Sequence, residues 1–225
     1  MPPPEKLIGI VGKTNVGKST LFSALTMATV EIANHPFTTI EPNIGIGYVR
    51  KKCIHVELGL PGCNPRTGYC IRGYRFIPVK VVDVAGLIPG ASRGRGLGNK
   101  FMDDLRQADV LIHVVDASGS TDLEGNPVKP GTVDPVEEVE SIQREIDEWF
   151  YSVVKRVWTS KIAGRILTVQ NPLDYIVQNL SGLSIKKHHV VEAIRRSGLE
   201  DKKFTQWSDD DIKVFSIELR RVSKP

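Results

Sequence analysis

The feature that most restricts the fold is the run Gly12-Lys13-Thr14-Asn15-Val16-Gly17-Lys18-Ser19, a match to G-x-x-x-x-G-K-[ST]. It follows an apolar segment, Lys6 to Val11, and precedes a stretch, Lys18 to Thr29, in which Leu21, Phe22 and Leu25 share one helical face. Strand, glycine loop and helix in that order make a phosphate cradle. Glycines let successive backbone N–H groups converge on an anion, and the helix N-terminus adds partial positive charge. The loop therefore predicts nucleotide contacts from Gly12, Asn15, Val16, Gly17, Lys18, Ser19 and Thr20. Lys18 is expected on the β- and γ-phosphates, where it also serves catalysis, and the Ser19 hydroxyl on Mg²⁺.

A chain built around such a loop needs further strands beside the first. Phe76 to Val84 and Val110 to Asp116 are apolar runs, the latter almost uninterrupted, as a strand covered on both faces should be. Phe101 to Ala108, between them, reads as a helix. The expected fold is α/β: a P-loop domain with a mostly parallel sheet, helices on both faces, and its chemistry at the carboxyl ends of the strands. Asp83-Val84-Ala85-Gly86, a D-x-x-G, lies at one such end. The strand before it, more than the commonplace pattern, nominates Asp83 as the Mg²⁺-side carboxylate and Gly86 as a γ-phosphate contact. A second D-x-x-G, Asp122 to Gly125, sits in a turn-rich loop without that context. Thr38 and Thr39 lie in the loop after the first helix, where nucleotide switches place a threonine on Mg²⁺ and the γ-phosphate. Thr39 is preferred for both the metal and the catalytic role, with Thr38 the alternate.

After Ser118 the pattern changes. A loop rich in Gly, Pro, Asp and Thr runs to Asp134-Pro135-Val136-Glu137, which offers an N-cap, a first-turn proline and a capping-box glutamate. The long helix predicted there carries an apolar stripe of Val139, Ile142, Ile146, Trp149, Val153 and Val157. Further helices are expected over Leu173 to Leu180, over Lys187 to Arg196 with Gly198 as cap, and from Ser208-Asp209-Asp210-Asp211 through Ile212, Phe215, Leu219 and Val222. The chain then divides into a P-loop domain at 1–118, a helical insertion at 119–207, and a helix at 208–225 that returns to the P-loop domain.

Gly12 to Phe22, His35 to Asn43, Asp83 to Phe101 and Ala108 to Ser118 together closely resemble the Obg-related P-loop GTPases, above all their YchF-like branch. The glycine-rich stretch Gly90 to Gly98 is peculiar to that group. The resemblance implies a Ras-like fold interrupted by a helical insertion, Mg²⁺-dependent GTP hydrolysis with slow intrinsic turnover, and an association with ribosomes or translation. YchF-like proteins include ATP users, so an ATPase is the alternative. The family reads its base with Asn-Lys-x-Asp or a variant after the strand that follows the last helix, and the chain stops at Ser223-Lys224-Pro225, where that strand should start. Asn99-Lys100 is followed by Phe-Met and lies elsewhere. The last strands of the domain are therefore expected to be absent. Leu87 stands where many GTPases carry a water-orienting glutamine, and it has no group for that task. The resemblance implies instead positioning by backbone, Mg²⁺ and a further element, for which a K⁺ ion held by Asn15, as in related GTPases with an asparagine there, is one candidate. The other reading of Asn15 is a residue that shapes the loop.

Composition narrows the setting. No apolar run approaches the ~18 to 20 residues of a membrane span, and Met1-Pro-Pro-Pro-Glu-Lys lacks a secretory stretch, so a cytoplasmic location is expected. The net charge of +4 would suit an anionic partner. Lys186-Lys187-His188-His189, Arg195-Arg196 and Arg220-Arg221 are the candidates for an RNA or ribosome surface, against the alternative of solvated helix faces. They keep open a nucleotide-gated binding module with little hydrolysis. Kinases and motor ATPases share the P-loop, but the threonine loop, the D-x-x-G spacing and the lack of an acceptor motif speak against them. Cys53, His55, Cys63 and Cys70 lie in a turn-rich segment and offer four ligands of the kind zinc takes; free thiols or one disulfide are the alternatives.

Overall fold

The computed structural model describes residues 6–26, 44–84, 105–166 and 168–225. Thr38, Thr39, Gly86, Leu87, the glycine-rich stretch 90–98 and the first half of the expected helix before Ala108 lie outside them; residues 105–107 are helical.

Five strands form one sheet: β1 (Leu7–Val11), β2 (Ile44–Lys52), β3 (Tyr69–Ile71), β4 (Tyr74–Asp83) and β5 (Val110–His113). Their order is β2-β4-β1-β5, with β3 paired to β4 beyond that path. β1 runs parallel to β4, Ile10 facing Asp83, and parallel to β5, Val11 facing His113. This register puts the ends of three strands side by side where the glycine loop begins. β2 and β3 run antiparallel to β4, so the sheet is mixed, parallel at its centre and antiparallel on one flank. β2 is weakly marked in the sequence because Ile-Gly-Ile-Gly-Tyr-Val-Arg-Lys-Lys has glycines where a buried strand has branched residues, and it is exposed from Tyr48 onward.

Six α-helices are described in full: α1 (Lys18–Thr26), α2 (Ile54–Glu57), α3 (Pro135–Val157), α4 (Pro172–Asn179), α5 (Lys187–Arg196) and α6 (Asp209–Ser223). The Asp134 carboxylate caps α3 by accepting from Val136 N at 2.8 Å, with Pro135 in the first turn. Of the two first-turn glutamates Glu138 is fully buried and Glu137 is exposed. A π-helical turn, Trp158–Ile162, prolongs α3, with Ala163 N donating to Trp158 O at 2.8 Å. An extra residue in a turn rotates the face presented beyond it, from Trp158 onward. Along the regular part of the helix, ahead of that turn, Phe150 and Val154 are buried beside Ile142, Ile146 and Trp149 in four-residue steps, while Val153 and Val157 are only partly covered. Ser208 and Asp211 exchange reciprocal bonds at the start of α6, and Gly198 (φ 67°) follows α5 in the left-handed conformation expected of a cap.

One apolar cluster joins the two layers. Val11, Val82, Val84 and Leu105 belong to it together with Ile142, Phe150, Trp158, Phe215 and Leu219 of the helices. Trp158 stacks on Trp207 at 4.8 Å and 4°, and Phe215 packs against both rings. Side chains buried like Phe215 and Leu219 contribute about 1.5–3 kcal/mol each. α6 ends against the sheet: Lys224 Nζ donates to Arg106 O at 3.0 Å and Ala108 O at 2.6 Å, and Leu111 N of β5 donates to Pro225 O at 3.0 Å.

Candidate functional site

The glycine loop leaves β1 at Gly12 (φ 153°), where a Cβ would lie 2.5 Å from the Val114 carbonyl oxygen, so only glycine can pass there. Asn15 (φ 62°) takes the left-handed conformation that asparagine tolerates best among residues with a side chain. Val16 turns its side chain toward Gly12, and Ser19 and Thr20 are exposed on the first turn of α1. Lys18 is buried and folds back across the loop, its Nζ donating to Lys13 O at 2.7 Å. Burial lowers its pKa, opposed by the charge of Asp83. An ammonium held inside a ring of backbone is a site for an anion.

The Ser19 hydroxyl donates to Asp83 Oδ2 at 2.5 Å, across the step from α1 to the end of β4. Asp83 Oδ1 is buried without a hydrogen-bond partner among the described residues. A hydroxyl beside a carboxylate with an unsatisfied oxygen is the hard donor set that suits Mg²⁺. Of the sequence-nominated residues, the structure brings Gly12, Asn15, Val16, Gly17, Lys18, Ser19, Thr20 and Asp83 to this one end of the sheet; Thr39 and Gly86 lie outside the described residues.

A second layer of contacts behind the loop went unread in the sequence. Lys13, its side chain 1% exposed, sits 2.8 Å from Glu138 Oε2 and 3.9 Å from Asp116 Oδ2, and donates to Thr121 O at 2.9 Å. Among the described residues neither Glu138 oxygen accepts a well-aligned hydrogen bond, so the 2.8 Å contact is ionic in character. Asp116 receives Ser118 N at 3.0 Å, Ser120 N and Thr121 N at 2.9 Å, and the hydroxyls of Ser118 and Thr121 at 2.5 and 2.6 Å. Those hydroxyl and amide donors, Ser118 foremost, hold its carboxyl well below the usual range. His113, beside this cluster, has a buried Nε2 without a partner among the described residues; burial lowers its pKa against the pull of Glu138. The D-x-x-G at 122–125 also proves to be part of the brace. Asn15 Nδ2 donates to Gly125 O at 3.1 Å, and at Gly125 (φ 90°) a Cβ would meet Thr14 O at 2.5 Å.

The basic residues nominated for an RNA surface are mostly ion-paired. Arg195 and Arg196 share Glu192, Arg220 meets Asp147 at 2.7 Å, Arg221 meets Glu218 at 2.7 Å and Lys187 meets Asp174 at 2.8 Å. No described helix is long and apolar enough to cross a membrane. Cys53, His55, Cys63 and Cys70 do come together, in the connection between β2 and β4 that includes β3.

A family model described as 50S ribosome-binding GTPase matches residues 7–157. The chain is 51% identical over 219 residues to a GTP-binding protein of Methanocaldococcus jannaschii, covering 97% of this chain and 54% of that one. It is 41% identical over 143 residues, 61% of this chain and 35% of the other, to the ribosome-binding ATPase YchF of Haemophilus influenzae. The crystal structure of a GTP-binding protein from Pyrococcus horikoshii OT3 superimposes with a TM-score of 0.73 at 40% identity, covering 97% of this chain and 54% of that one. The chain thus spans about half the length of the most similar of these relatives.

Proposed function

Because the chain belongs to the 50S ribosome-binding GTPase family, within its YchF-like and Obg-related members, we propose that it binds GTP on the Gly12–Ser19 loop and hydrolyses it as a slow molecular switch. The observation that carries this reading is the convergence of Lys18, Ser19 and Asp83 at the carboxyl ends of adjacent parallel strands. On binding, Lys18 exchanges its bond to Lys13 O for the β- and γ-phosphate oxygens, while the loop N–H groups hold the remaining charge. Ser19, Asp83 and Thr39 are the residues that would hold Mg²⁺, which when bound neutralises charge on the phosphates. Gly86 offers its N–H to the γ-phosphate. Water attacks the γ-phosphorus, the bond to the β–γ bridging oxygen breaks, and GDP and inorganic phosphate leave. With Leu87 in place of a water-orienting side chain, turnover is slow until a partner completes the site.

The division at 118 and 207 is part of the same proposal, with the helices as an insertion that reads the state of the loop. The ribosome is the partner class proposed, in line with the name of the YchF relative, and the cytoplasm its setting. That relative's name also favours ATP as a second substrate reading. A K⁺ ion on the Asn15 side-chain oxygen is the proposed aid to hydrolysis, since the amide nitrogen is already bonded to Gly125 O.

Titration with GTP and ATP, together with phosphate release measured without any acceptor, tests the proposal. Wild type binds and slowly hydrolyses nucleotide, GTP in preference, and Lys18→Ala loses roughly 100-fold in affinity, about 2.7 kcal/mol. Equal binding by the two proteins overturns the site. Matched KCl and NaCl assays decide the K⁺ role, equal rates ending it.

A further inference from the structure

The β2–β4 ribbon runs on past β1, which pairs with β4 only over Lys80 to Asp83, and its tip is residues 53–73; among residues 48–80, all of them described, Cys53 alone is buried. The apolar residues of the tip are turned outward: Ile54 is 65%, Leu58 64% and Leu60 52% exposed. None of the tip belongs to the hydrophobic cluster that holds the rest of the molecule. A segment that folds back on itself without a core needs another source of cohesion.

At the centre of this tip lie the Sγ atoms of Cys53, Cys63 and Cys70 and a ring nitrogen of His55, all within 4.8 Å of one another. Each is set by a different piece of backbone. Cys53 follows β2 at the N-cap position of α2, with its N–H bonded to Gly73 O at 2.8 Å; His55 stands on α2; Cys63 is in the following loop; Cys70 is the middle residue of β3, paired with Arg75. Cys70 Sγ is 3.5 Å from His55 Nδ1. In a tetrahedral zinc site, bonds of about 2.3 Å to sulfur and about 2.0 Å to nitrogen put ligand atoms about 3.5–3.8 Å apart. The cluster therefore needs to contract by about 1 Å at most, and none of the three thiols is in a disulfide. Arg75 lies just outside, Nη1 3.9 Å from Cys63 Sγ and Nη2 donating to Thr67 O at 2.8 Å. A guanidinium there offsets the negative charge of a three-thiolate site and ties down the loop that carries Cys63.

We infer that Cys53, His55, Cys63 and Cys70 form a closed structural zinc site that holds together the tip of the β2–β4 ribbon. Four protein ligands leave no open position, so the ion folds the tip and does no chemistry. The site is remote in function from the nucleotide loop and stands or falls independently of it.

Elemental analysis of the chain, purified in reducing buffer without a histidine tag and then exposed to zinc and desalted, tests the inference. About one equivalent of zinc is expected, with Cys63→Ser and Cys70→Ser falling below about a tenth of an equivalent and Lys18→Ala keeping the full amount. Should the serine variants fail to fold, Co²⁺ substitution of wild type gives the second measurement. A Cys₃His site shows thiolate-to-cobalt charge transfer in the near ultraviolet and intense tetrahedral ligand-field bands in the red. Wild-type zinc below about a tenth of an equivalent, zinc retained by the folded serine variants, or a cobalt spectrum without the charge-transfer band overturns the site.

Discussion

Lys13 is where the phosphate loop and the helical layer meet as one object. Its ammonium lies between a loop carbonyl and two carboxylates, with Glu138 and itself almost wholly out of solvent. A buried pair of this kind adds little net stability over an apolar pair of equal volume, but losing one partner strands the other charge. Glu138→Ala is therefore expected to lower the unfolding free energy by about 3–5 kcal/mol, and Lys13→Met combined with Glu138→Leu to recover most of it. Urea unfolding of the three proteins measures this, and a loss below about 1 kcal/mol in the single variant would mean the pair is solvated. At this scale the sequence told an uneven story. Ser19 and Asp83 were legible because a loop serine and a strand-end aspartate are placed by local pattern, and the register of β1 on β4 does the rest. Glu138 was not, because an acid in a first helical turn reads as a solvated dipole partner. Lys13 occupies a position its motif leaves variable. Only the fold, bringing residues 13 and 138 together, turns two ordinary surface charges into a buried pair.

Among the elements, the helices were legible and the antiparallel strands less so. Caps are local chemistry: Asp134-Pro135 and Ser208 each start a helix where the sequence places it, and the helix expected from Leu173 begins one residue earlier, at Pro172 behind Asn171. The π turn after Val157 has no signature in Trp-Thr-Ser-Lys-Ile, which keeps helical spacing, and the burial of Val154 over Val153 is set by the packing partner, which the stripe alone does not name. α6 makes a separate prediction through its end. Burial pushes the Lys224 ammonium down to about 8, against the pull of Asp109. Between about pH 8 and the ordinary lysine value, the unfolded chain holds a proton that the folded chain has released, so stability rises with pH across that window. Below it the buried charge is a cost carried in full. Unfolding free energies at about pH 7.5 and about pH 9.5 should climb more steeply in wild type than in Lys224→Met, and parallel slopes would contradict the assignment.

For the whole molecule, the continuous apolar cluster means that the sheet and the helical layer are not free to move past one another without repacking shared side chains. The expectation of a P-loop sheet was legible from three apolar runs. That the helical layer would share its core was not, because an amphipathic stripe states that a partner exists without saying which. The chain has three tryptophans, Trp149, Trp158 and Trp207, and every one of them is in the helical layer, two stacked face to face. The protein therefore carries its own optical reporter, blind to the phosphate loop except through the contacts that join the layers. Nucleotide added to wild type is expected to change indole emission and the near-ultraviolet dichroism of the stacked pair. In Glu138→Gln the binding should persist while the optical change fades, so an undiminished signal in that variant would show that the loop speaks to the helices by another route.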